Sequence, residues 1–72
     1  MSAQHIIWVA PLADGWAVQC VGIEPTVFRS GGRAEAQAKR LALVLAKLGR
    51  SVQVRILDRG KTLVGTQVFA AV

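Results

Sequence analysis

The chain has 72 residues, 53% of them apolar, with nine Lys and Arg against four Asp and Glu and a formal net charge of +5. That length excludes more than one domain, so residues 1–72 are read as a single small unit that buries only about 60% of the surface its unfolded form exposes. Its lone cysteine, Cys20, excludes an intrachain disulfide and a cysteine-rich zinc site, and a reducing, cytoplasmic setting is the expectation.

A mean hydropathy of +0.43 is high for so short a chain. A domain of this size cannot hide that many apolar side chains, and some are expected on a surface that takes a partner. The basic excess, with a pI near 10.8, admits anionic partners such as nucleic acid or acidic headgroups. The opening MSAQHIIWVAP has no basic region, and Pro11 and Asp14 break its apolar run. It is too short for a signal peptide with a cleavage site or for a membrane span, so no membrane partner is expected.

In chain order, HIIWVA (His5–Ala10) is β-branched and aromatic and predicts a strand that Pro11 stops. Asp14-Gly15 is a turn signal, and WAVQCV (Trp16–Val21) predicts a second strand paired with the first as a hairpin. Gly22 to Pro25 reads as loop and Thr26–Phe28 as a short extended lead into a helix. From Arg33 to Leu48 the period becomes helical: steps of 100° gather Ala34, Ala38, Leu41, Leu45 and Leu48 into one sector, with Ala42 and Val44 at its edges. Gly49 stands where a C-terminal cap glycine belongs, with Lys47 in the last turn. SVQVRIL (Ser51–Leu57) alternates as a half-buried strand, DRGK is a tight turn, and TLVGTQVF (Thr62–Phe69) is its hairpin partner.

The expected fold is therefore α+β, ββαββ, with antiparallel hairpins forming one sheet and a single helix packed on one face. If Val18, Val52, Val54 and Ile56 face the helix, the other face receives Gln19, Gln53 and Arg55, but also Ala17, Val21 and Leu57. By the same alternation either Ile6 and Trp8 or Ile7 and Val9 must point away from the helix. A homodimer is the simplest cover for that face, with Ile6, Trp8, Leu43 and Leu57 as candidate interface residues.

HIIWVAPLADGWAVQ, AEAQAKRLALVLAKLG and VQVRILDRGKTL together resemble the domain-of-unknown-function 2188 family of small bacterial proteins. The resemblance covers about residues 5 to 65 and is carried by His5, Pro11, Gly15-Trp16-Ala17-Val18 and Ala34-Glu35-Ala36. It implies a ββαββ fold and a small non-enzymatic module, and brings no catalytic residues. Two positions depart from the family pattern: Gly32 stands where a helix-entrance Thr is usual, and Gly60-Lys61 replaces an Asp-Gly turn. Aligned this way, Gly32 takes the N-cap position, with Glu35 in the first helical turn as the remaining half of a capping box. A lesser likeness to the peptidoglycan-binding SPOR repeat, through WAVQCVG and the Ala-rich helix, lacks that repeat's second helix and following strand.

The chain has one His, one Cys and four acids. Asp14 and Asp58 read as turn formers, and no spacing places two carboxylates, or a base and a nucleophile, on one local surface. A His5–Cys20 pairing across the first hairpin is geometrically conceivable, but Cys usually packs as a small buried hydrophobe. No enzymatic activity, cofactor, metal site or small-molecule substrate is expected. Trp16 reads as core, whereas Trp8 is either a dimer anchor or a stacking platform for bases. Arg33, Arg40 and Lys47 recur every seven residues and drift by only about 20° per step, forming one stripe with Lys39 beside it. The functional expectation is a small cytoplasmic interaction module that forms a homodimer through the uncovered sheet face or an edge. The alternative is a nucleic-acid-binding protein that uses Arg33, Lys39, Arg40 and Lys47, with Arg55 or Trp8 assisting.

Overall fold

The computed structural model describes residues 5–72. Along them run β1 (His5–Leu12), β2 (Gly15–Cys20), β3 (Ile23–Phe28), α1 (Gly31–Lys47), β4 (Val52–Leu57) and β5 (Leu63–Phe69). The fold is α+β with one helix on one sheet, as expected, but the sheet has five strands in the order β3-β2-β1-β4-β5. The added strand is β3, where a loop and a short lead were expected. Gly22, at φ +84°, turns the chain after β2 in a conformation that glycine adopts without steric cost, and β3 pairs back antiparallel. Pro25 is tolerated because β3 is an edge, where a missing N–H breaks no ladder on the open side.

The two hairpins join through β1 and β4, which run parallel, while every other neighbouring pair is antiparallel. By that pairing β3 is also parallel to β4, so the chain must return along the strand direction between them. The 17-residue α1 rises about 25 Å, sufficient to carry it back. β1 continues through Pro11 to Leu12 instead of ending at Ala10. Its pairing with β4 stops at Val9↔Ile56, whereas Pro11 pairs only with Trp16 of β2. The proline therefore sits where no β4 neighbour requires its N–H. β2 ends at Cys20, and Val21 lies in the turn, 95% exposed.

Ile7, Val9, Val18, Cys20, Val52 and Val54 of the sheet pack against Ala34, Ala38 and Ala42 of the helix, bordered by Trp16, Phe28, Leu41, Leu45, Ile56 and Phe69. The buried helix residues are alanines four apart, Ala34, Ala38, Ala42 and Ala46. An alanine ridge lets the helix approach the sheet closely, and the β-branched side chains beneath it fill the volume. The expected apolar sector is thus rotated toward Ala42 and Ala46: Leu41 and Leu45 border the core, while Leu48 is 70% exposed.

Ser30, not Gly32, caps the helix, its Oγ accepting a hydrogen bond from the Arg33 N–H at 3.1 Å. Gly31 and Gly32 are already helical, so Glu35 lies beyond the first turn, and its carboxylate meets Lys39 Nζ at 3.4 Å instead of the cap. The other end follows expectation. Gly49 has φ +86°, its N–H donates to Ala46 O and the Arg50 N–H donates to Leu45 O, the paired bonds of a Schellman cap.

Candidate functional site

With Ile7 and Val9 buried beneath the helix at 0% and 1% exposure, strand alternation turns Trp8 onto the opposite, uncovered face. There the register sets it between Gln19 of β2 and Arg55 of β4. The Arg55 guanidinium lies 5.2 Å from the centre of the Trp8 ring, and its Nε–H donates to Gln53 Oε1. The cation over the ring face gains cation–π attraction, and the planar guanidinium is fixed from two sides.

Around this pair the same face carries half-buried Ile6 and Leu57. Val27 at 63%, Leu63 at 51% and Val68 at 64% exposure extend it toward the two edges. At one end a groove of about 330 Å³ is lined by His5, Ile6, Trp8, Cys20 and Val21. His5 Nε2 accepts a hydrogen bond from Arg50 Nη1 at 3.1 Å; buried Cys20 is in register with Ile7. His5 and Cys20, considered as a pair from the sequence, both border this groove, and the hydrogen bond the imidazole makes there is to Arg50.

The helix presents its other candidates on the opposite side of the molecule. Arg33, Arg40 and Lys47 are exposed and stand away from the alanine ridge, with Leu43 among them at 50% exposure. Lys39 is held by Glu35. The residues grouped from the sequence thus divide into two surfaces. Arg33, Lys39, Arg40 and Lys47 share the helix, whereas Arg55 and Trp8 lie across the sheet from them. Leu43 is likewise separated from Ile6, Trp8 and Leu57. One flat ligand cannot touch both groups, because the covered face and the helix lie between.

A second aromatic–cation pair was not anticipated. Arg59, in the turn after β4, places its guanidinium 4.8 Å from the Trp16 ring centre and donates from Nη1 to Leu12 O at 2.6 Å. It ties together the two turns at that end of the sheet, beside a groove of about 330 Å³ lined by Pro11, Leu12, Ala13, Arg59 and Lys61. The β4–β5 turn itself is organised by Asp58, whose Oδ1 accepts from the Gly60 and Thr62 N–H groups at 2.8 and 3.0 Å. Lys61, not Gly60, takes the left-handed conformation there, at φ 62°.

Among the described residues no group of three His, Cys, Asp or Glu side chains is placed to hold a metal ion. No helix among them is long and apolar enough to cross a membrane. Compared with protein-family models, with curated proteins and with solved structures, the chain matches none.

Proposed function

We propose that this chain is a small cytoplasmic interaction module that associates with itself and carries no chemistry of its own. The observation that supports this reading is the uncovered sheet face. It carries Trp8 with Ile6, Leu57, Val27, Leu63 and Val68 around it, the last three more than half exposed. Apolar material gathered on one face marks a surface that gains by losing its water, since each square ångström removed contributes about 25 cal/mol. Aromatic side chains fixed by their neighbours lose little entropy on burial, which suits Trp8 as an anchor. Solution mass measured by light scattering across a dilution series tests it: a dimer is expected at high micromolar concentration, and a monomer there overturns the reading.

A second reading, nucleic-acid binding, is supported by the exposed stripe of Arg33, Arg40 and Lys47. Among the described residues the one ion pair is Lys39–Glu35, so no carboxylate neutralises these three. Three to four phosphate contacts would make binding weaken steeply with salt, through counterion release. Labelled duplex and single-stranded oligonucleotides titrated at low and moderate salt test this. Absence of binding below tens of micromolar at low salt removes it.

A further inference from the structure

We infer that the groove between the β1–β2 and β4–β5 turns binds the dianion of a small phosphate monoester, with Arg59 and Lys61 as its cations. This is independent of the self-association reading, which rests on the open sheet face.

The groove, about 330 Å³, is lined by two cationic residues, Arg59 and Lys61, and by apolar Pro11, Leu12 and Ala13. No carboxylate lines it. Among the described residues the one ion pair is Lys39–Glu35, so neither cation is matched by an acid within salt-bridge distance. The acids of the two turns are placed otherwise. Asp58 Oδ1 receives the Gly60 and Thr62 N–H groups, and exposed Asp14 lies in the β1–β2 turn outside the groove lining.

Arg59 is already held in place. Its guanidinium lies 4.8 Å from the Trp16 ring centre, and its Nη1–H donates to Leu12 O. One face and one N–H are thereby committed, and the rest of the five-donor fork is left for a ligand. A fixed guanidinium loses little freedom on binding, and its plane matches two oxygens of a phosphate or a carboxylate. Lys61 is the second cation. It stands at φ 62°, a left-handed conformation that glycine would take without steric cost, and there it borders the groove.

A single carboxylate would satisfy the fork of Arg59 alone. A second cation beside it selects a ligand of higher charge, and a phosphate monoester carries about −1.5 to −2 at pH 7. Pro11, Leu12 and Ala13 give the organic part of the ester an apolar wall, which inorganic phosphate could not use. The Trp16 ring also lies against the start of α1, where a Cβ at Gly31 would stand 3.2 Å from Trp16 Cε2. The positive end of the helix dipole therefore adds to the field at this end of the sheet. The formal net charge of +5 draws an anion from solvent in the same sense.

The test is amide NMR of the full chain, titrated at low salt with phenyl phosphate, inorganic phosphate and benzoate. Phenyl phosphate is expected to bind at about 1 mM or tighter, shifting the amides of Leu12, Ala13, Arg59 and Lys61. Benzoate, with less charge, and inorganic phosphate, with no apolar part, are expected to bind at least about threefold more weakly. Arg59→Gln is expected to weaken phenyl phosphate binding at least about tenfold. Lys61→Asn, which keeps a residue suited to the left-handed region, is expected to weaken it about three- to tenfold. Arg50→Gln removes one charge at the opposite end of the sheet and serves as control, its affinity staying within about twofold of wild type.

Absence of saturable shifts up to about 20 mM phenyl phosphate overturns the assignment. So does an Arg50→Gln effect as large as that of the groove variants, which would leave only attraction to the net charge. Equal binding of benzoate or of inorganic phosphate overturns it too, by removing the dianion or the ester. Should Arg59→Gln not fold without its contact to Trp16, Lys61→Asn and the wild-type shift map decide by the same criteria.

Discussion

The two faces of the sheet are made by the same strands from similar residues, yet they have opposite fates. On one, Ile7, Val9, Val52 and Val54 are at most 1% exposed beneath an alanine ridge. On the other, Trp8, Ile6 and Leu57 are half-buried by neighbours within the sheet alone, and Val27 and Val68 face solvent. Alternation deals apolar side chains to both faces, and one helix can cover only one. The covered face supplies the stability of the monomer. The open face remains as surface whose burial requires a partner. Stability and association are therefore expected to separate by face, and adjacent residues in one strand should respond differently to the same substitution.

The largest contrast is expected between Ile7→Ala and Trp8→Ala, measured by urea unfolding at low protein concentration. Ile7 is fully buried, so its truncation is expected to cost about 2–5 kcal/mol, the transfer term plus the cavity left behind. Trp8→Ala is expected to cost about 1 kcal/mol, the scale of an exposed cation–π contact, and to weaken the proposed self-association through the open face. Equal losses would dissolve the distinction between the faces.

A sharper probe is the helix itself. Ala38 is at 0% exposure against the sheet, while Ala36, two residues before it, is exposed. Ala38→Leu is expected to destabilise by about 1–3 kcal/mol through overpacking, and Ala36→Leu to change stability by less than about 0.5 kcal/mol. If Ala38→Leu is tolerated, the close approach of helix to sheet is not what seals the covered face.

The smallest effects test how the helix is set onto that face. Ser30→Ala removes the oxygen that accepts the Arg33 N–H and is expected to cost about 1 kcal/mol. Gly32→Ala is expected to stabilise by about 0.5–1 kcal/mol, since Gly32 is helical, exposed and has open space where a Cβ would stand. Thermal unfolding of both variants suffices; a loss at Gly32 with none at Ser30 would return the cap to Gly32.

Much of the architecture was legible because it rests on local periodicity. The helix, both hairpins of β1–β2 and β4–β5 and the cap at Gly49 each follow from patterns within a few residues. β3 was missed because Ile23-Glu24-Pro25 carries the signals of a loop, and those signals disfavour only an interior strand. Ser30 was missed because the two glycines after it suggested a later start, although a Ser before a run of helix formers is itself a cap signal. The basic and apolar candidates were chosen by residue chemistry and so were grouped across surfaces that the fold separates. Arg59 carried no local sign of its contact with Trp16, which lies far away in the chain.

Composition, alternation and capping residues were enough to require one sheet and one amphipathic helix, with more apolar surface than the helix could cover. These are properties of neighbouring residues, and local sterics and solvation set them. Which face the helix would choose, where Trp8 would point and which strands would be left as edges depended on strand order. That order places residues distant in sequence side by side: β1 beside β4, β3 and β5 at the margins. The pairing of distant strands is a choice among packings of the whole chain, and no window of the sequence contains it.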